Sequence, residues 1–211
     1  MGLLPEKPLE QYRKPVGEVG KLVVEDMNES HYDLTGWGLE QVKIDACDLV
    51  LDIGCGGGRT LSRLADMTTS GKAYGVDYSE DCVRWASERN KKAIDSGHVF
   101  TLQASVEKLP FEASTFDKAF AVETIYFWPD LEQNFSEVRR VLKKKGLFVI
   151  INEAYTCETF SERNDELKRV GGMKIISPDE AEALLKRAGF SSVDIKIRED
   201  KNWMCCIARN G

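Results

Sequence analysis

Leu49-Val50-Leu51-Asp52-Ile53-Gly54-Cys55-Gly56-Gly57-Gly58-Arg59-Thr60 is the stretch that decides the fold. A short apolar run stopped by glycines reads as a buried strand. Thr60 to Met67 then places Leu61, Leu64 and Ala65 at helical spacing. A strand, a glycine turn and a helix in that order make a unit whose backbone turns sharply and lets a ligand approach closely.

The alternation continues outward. Ala73-Tyr74-Gly75-Val76-Asp77 reads as a second strand, and Ser79 caps a helix that runs to about Ile94, with Glu80 and Asp81 in its first turn. His98 to Leu102 and Phe116 to Val122 are the third and fourth strands. Leu131, Phe135, Val138 and Leu142 mark a helix, and Gly146 is its expected stop, ahead of a fifth strand that ends at Ile151. Ser177-Pro178-Asp179-Glu180 opens a further helix that ends at Gly189. Ser191 to Ile197 and Trp203 to Ala208 are two last strands, too close for a crossover, so they pair as an antiparallel hairpin. The expectation is an α/β fold: a seven-stranded, mostly parallel sheet with an antiparallel C-terminal hairpin strand and helices on both faces. Residues 1–44 stand outside the pattern and read as an N-terminal helical cap or lid, with Val19, Leu22, Val23, Val24 and Met27 on its helix. Residues 45–211 form the core, with a polar helical insertion at about 153–176.

The 211 residues suit one domain that buries a core without staples. With 42% hydrophobic and 30% charged residues the chain has the balance of a soluble globular protein. The net charge of -6 argues against a nucleic-acid partner, which needs a concentrated basic surface. The basic run Arg139 to Lys145 reads as a solvated helix end. Six cysteines show no CxxC pair, and His31 and His98 fit no zinc pattern, so no metal is expected and a reducing, cytoplasmic setting is. Residues 1–8 carry no apolar signal core, and Gly2 lacks the hydroxyl residue that myristoylation wants at position 6. No apolar run is long enough to span a bilayer, so no membrane partner is expected.

Asp77 ends the second strand, about 20 residues beyond the glycines, where a ribose-binding acid is expected. Two readings share that plan. A dinucleotide fingerprint counted from Gly54 needs Gly or Ala at position 59, and the residue is Arg59; counted from Gly56 it fails at Leu61. Asp52 precedes the glycines, a poor neighbour for a diphosphate and a tolerable one for a cationic sulfonium or ammonium.

Asp52-Ile53-Gly54-Cys55-Gly56-Gly57-Gly58 resembles the first motif of class I S-adenosylmethionine-dependent methyltransferases, and Tyr74-Gly75-Val76-Asp77-Tyr78-Ser79 resembles their second-strand acid motif. Val106-Glu107-Lys108-Leu109-Pro110-Phe111 with Thr115-Phe116-Asp117, and then Arg140 to Leu147, resemble the small-molecule branch that includes ubiquinone and menaquinone biosynthesis methyltransferases. The resemblance covers about residues 45 to 152 and implies a Rossmann-like fold with S-adenosylmethionine as cofactor. It implies that the backbone at Gly54, Cys55 and Gly56 lies along the methionine part beside Asp52, that Asp77 holds the ribose hydroxyls, and that Tyr78 lies against adenine. It implies that Ser105, which stands where many relatives have an acid, and Val106 line the adenine edge. The resemblance also implies that Glu123 and Thr124 sit at the mouth of the fourth strand near the donor methyl.

Methyl transfer chiefly needs alignment and exclusion of water, so a fixed catalytic residue need not exist. The candidates are His31, Tyr32, Glu123, Tyr126 and Tyr155. His31 lies in an aromatic- and glycine-dense segment, and as part of a lid it would act as general base or substrate contact. Ile125-Tyr126-Phe127-Trp128 is open to two readings, an apolar wall for a small organic acceptor or a packed loop. The expected function is methyl transfer to a small molecule; the alternatives are an NAD-dependent oxidoreductase and a cofactor-binding partner protein without catalysis.

Overall fold

The computed structural model describes residues 10–211, so the readings made at residues 1–8, on a signal core and on Gly2, lie outside the described residues. Strands β1 (Leu49–Ile53), β2 (Lys72–Asp77), β3 (Val99–Gln103), β4 (Phe116–Val122), β5 (Leu142–Asn152), β6 (Ser192–Arg198) and β7 (Trp203–Arg209) make one seven-stranded sheet in the order β3-β2-β1-β4-β5-β7-β6. β1 pairs in parallel with β2 and β4, β2 with β3, and β4 with β5. β7 runs antiparallel to both β5 and β6. The expected hairpin therefore carries the sheet outward from β5. The order reverses between β1 and β4, and at such a switch point the loops after the two strands part and leave a crevice at their carboxyl ends.

Helices α1 (Glu10–Arg13), α2 (Gly17–Ser30) and α3 (Tyr32–Glu40) precede the sheet. α4 (Arg59–Met67), α5 (Glu80–Arg89), α6 (Lys91–Asp95), α7 (Leu131–Val141), α8 (Ser161–Gly171) and α9 (Pro178–Arg187) connect its strands. Side chains alternate across the pleat, so each strand feeds two core layers. On β5, Phe148 and Ile150 face one layer with Phe135 and Val138 of α7 and Leu185 of α9. Val149 and Ile151 face the other with Leu61 and Leu64 of α4 and Leu34 and Leu39 of α3. Each such large side chain, fully buried, stabilises the fold by about 1.5–3 kcal/mol. α3 is thus built into a core layer. Gly38 lies so close to β5 that a Cβ there would meet Ile151 Cδ1 at 2.4 Å. α9 starts on a complete capping box between Ser177 and Glu180. No described helix is long and apolar enough to cross a membrane.

Two elements differ from expectation. The helix after Ser79 stops at Arg89 and restarts at Lys91. Asn90 causes the break: its amide donates to Gly58 O at 3.0 Å and to Ala86 O at 2.9 Å, tying the helix to the glycine loop. β5 begins at Leu142 rather than at Gly146, which does not end α7. Gly146 instead sits beside a register shift opposite Phe116 and Lys118, where a Cβ would lie 2.8 Å from Lys143 O.

Candidate functional site

The glycine loop meets its acid. Gly54 has φ +78°, and a Cβ there would stand 2.4 Å from Thr124 Cγ2 at the end of β4, so the turn excludes any side chain. Gly56 N–H donates to Asp77 Oδ2 at 2.9 Å, and Ser79 N–H donates to Asp77 Oδ1 at 2.9 Å. Burial pushes the Asp77 carboxyl up while these backbone donors pull it back down. Asp52 is 1% exposed, and its Oδ2 has no partner. Burial first, then the charge of Asp77, pushes the Asp52 carboxyl up to about 7, against a backbone hydrogen bond from Leu61. An orphaned buried carboxylate oxygen is a costly feature without a ligand. It suits a cationic group and repels a diphosphate, which makes these residues a fit for S-adenosylmethionine and a poor one for a dinucleotide.

The other expected contacts fall around this loop. Cys55 is buried, and its Sγ packs 3.1 Å from where a Gly75 Cβ would be, so the thiol is turned to β2. Tyr78 is 42% exposed, and its hydroxyl donates to Arg13 O. Ser105 Oγ donates to Glu107 Oε2 at 3.0 Å and accepts from Glu107 N–H at 3.2 Å, so an acid stands two residues along from the hydroxyl. Val106 is buried in the main core layer.

The N-terminal helices lie across the same loop. Ser79 Oγ donates to Pro15 O at 3.0 Å, and Gly17 N–H donates to Asp81 Oδ2 at 2.7 Å. Val24 closes on Gly57, where a Cβ would meet its Cγ1 at 2.5 Å. Arg59 donates to Asn28 O at 2.8 Å, pairs with Glu29 at 2.7 Å and lies 5.2 Å over the Tyr32 ring. The residue that spoils the dinucleotide pattern is therefore what clasps α2 to the loop. Val23 and Val24 face inward, while Val19 and Leu22 are exposed.

Where α2 meets α3, His31 reaches the carboxyl ends of β4 and β5. His31 Nε2 stands 3.7 Å from Glu123 Oε2 and 3.8 Å from Glu153 Oε1. Glu123 follows β4 with φ +60°, a left-handed backbone that costs a non-glycine residue energy. Its Oε1 accepts from the Tyr126 hydroxyl at 3.1 Å and from Glu153 N–H. Arg163 of α8 pairs with Glu153 Oε2 at 3.0 Å. Burial lowers the His31 pKa, but Glu153 and Glu123 outweigh it and leave the group raised. Burial raises Glu153, and His31 and Arg163 bring it below its ordinary value. Burial holds Glu123 well above the carboxylate range, opposed by His31 and helped by Glu153.

Sequence reading missed Glu153 and Arg163. A signal existed: the neighbouring strands β4 and β5 are each followed at the crevice end by a glutamate, Glu123 and Glu153. Tyr155 does not join the cluster; it is buried in the main core layer, with its carbonyl accepting from Asn164. Ile125, Tyr126 and Trp128 are also buried, and Trp128 stacks on Phe148 at 6.2 Å. Of the two readings of that segment the packed loop is the one observed, since an indole on the core face gains more from Phe148 than from a crevice wall.

Residues 51–150 match a family described as a methyltransferase domain. The sterol 24-C-methyltransferase of Saccharomyces cerevisiae is 30% identical over 161 residues, 72% of this chain and 41% of that protein. The 27-O-demethylrifamycin SV methyltransferase of Amycolatopsis mediterranei is 30% identical over 166 residues, 75% of this chain and 60% of that protein. The chain thus spans less than two thirds of these relatives. A SAM-dependent methyltransferase from Aquifex aeolicus superposes with a TM-score of 0.74 at 22% identity, covering 89% of this chain and 97% of that one, which bears on the fold.

Proposed function

We propose that the chain is a class I, S-adenosylmethionine-dependent methyltransferase and that it transfers a methyl group to a small organic acceptor. The observation that carries the reading is the convergence of Gly56 N–H on Asp77 beside the orphaned oxygen of Asp52. When bound, S-adenosylmethionine supplies a methyl group on a cationic sulfur, open to in-line displacement. Asp77 offers two carboxylate oxygens to the ribose hydroxyls. Asp52 balances the positive charge of the amino-acid end in a site closed to water. Tyr78, Ser105 and Val106 line the adenine side, while Gly54 and Cys55 give their backbone to the methionine side. α1 and α2 act as the lid over the loop. His31, Glu123 and Glu153 form the polar face turned to the acceptor.

A small acceptor is supported by the names of the relatives, which act on a sterol and on a demethylrifamycin. The six cysteines are unpaired, which supports a reducing cytoplasmic setting. Titration calorimetry tests the cofactor reading. S-adenosylhomocysteine is expected to bind, NAD is not, and Asp77→Asn is expected to weaken binding at least about tenfold, or about 1.4 kcal/mol. Undiminished binding by the variant, or uptake of NAD in place of S-adenosylhomocysteine, overturns it. Release of S-adenosylhomocysteine with an acceptor present separates an enzyme from a silent binding partner.

A further inference from the structure

We propose that His31 Nε2, Glu123 Oε2 and Glu153 Oε1 form a binding site for one divalent transition-metal ion, of the class of Mn2+, at the crevice mouth. These three donor atoms all lie within 4.8 Å of one another. Two ligands on one such ion, each at about 2.1 Å, stand about 3.0–3.4 Å apart. The separations of 3.7 and 3.8 Å from His31 therefore need only a few tenths of an ångström of closure. At these separations the imidazole already faces both carboxylates at ion-pair distance, so all three donors point at one spot.

The arrangement behind the donors supports the same reading. Each glutamate spends one oxygen on the protein and turns the other to His31. Glu123 Oε1 is fixed by Tyr126 and by Glu153 N–H, and Glu153 Oε2 is fixed by Arg163. Outer contacts of this kind orient metal-binding side chains. One imidazole and two carboxylates are a donor set for a first-row divalent ion rather than for a thiolate-seeking one. The three ligands come from the α2–α3 junction and the ends of β4 and β5, so the ion would tie the lid to the sheet. Use of the ion to hold an acceptor oxygen and ease its deprotonation would rest on the methyl-transfer reading; the binding site itself does not.

The test titrates MnCl2 into the chelator-stripped full chain, followed by calorimetry and electron paramagnetic resonance. Mn2+ is used because it avoids the thiols. One ion per chain is expected to bind saturably, and His31→Ala and Glu153→Gln are each expected to weaken it at least about tenfold. Circular dichroism establishes that both variants are folded. An imidazolium bridging the two carboxylates without metal predicts no saturable binding up to millimolar Mn2+, and that result overturns the proposal. Equal binding by both variants and the parent also overturns it, because the ion then sits elsewhere. The readout needs no turnover, so a chain that binds Mn2+ but ignores S-adenosylmethionine would refute the methyl-transfer reading and leave this one standing.

Discussion

Asp52 is buried at the end of β1 with its Oδ2 orphaned, and its raised carboxyl pKa gives it a measurable signature. In the ligand-free protein its folded pKa of about 7 lies above the ordinary 3.8. The stability linked to this group is therefore full below pH 3.8 and is lost as the pH rises through about 7. A bound cation reverses the preference by favouring the carboxylate. S-adenosylmethionine is expected to bind more weakly as the pH falls through about 7, with proton release on binding, and Asp52→Asn is expected to flatten that profile. Calorimetry in buffers of different ionisation enthalpy checks it; an unchanged slope in the variant sinks the assignment. Asp77 was legible because an acid ending the strand after a glycine turn has a fixed place relative to that turn. Glu153 was not, because its partners His31 and Glu123 are distant in sequence and meet only when β4 and β5 lie side by side. Tyr155, two residues beyond Glu153, is turned instead into the main core layer.

At the scale of elements, Arg59 clasps the C-terminal end of α2 to the glycine loop, alongside the packing of Val24 on Gly57. The Arg59 hydrogen bond to Asn28 O contributes about 1 kcal/mol, while the pair with the largely exposed Glu29 adds little. Arg59→Ala is expected to let α2 lift more often while the sheet stays intact. Trypsin should then cut after Lys21 several-fold faster, with little change in the melting temperature. Parent-like cleavage would mean that Val24 and the contacts of residues 15–17 hold the lid unaided. Element boundaries were readable where local chemistry sets them. β1 and β4 fall where their apolar runs stop, and α9 begins on its capping box. They were unreadable where a remote contact intervenes. Asn90 breaks a good helical pattern to reach Gly58, and β5 starts early because Leu142 finds Phe116 as a partner.

Over the whole molecule the sheet gathers its chemistry at one rim. The loops after β1, β2, β4 and β5 all open at the carboxyl ends, on either side of the reversal in strand order. Half of each strand's side chains supply the two core layers, so the fold is paid for away from that rim. The left-handed turn at Glu123 is the exception, because it sits at the rim and works against stability. Glycine there would relax the backbone by about 1 kcal/mol and remove a carboxylate buried beside another. A library randomised at position 123 and selected for heat resistance alone should therefore drift to glycine or asparagine, whereas selection that also demands turnover should return the glutamate. The two pressures pull one codon in opposite directions, and sequencing the survivors would reveal which of them has shaped this chain.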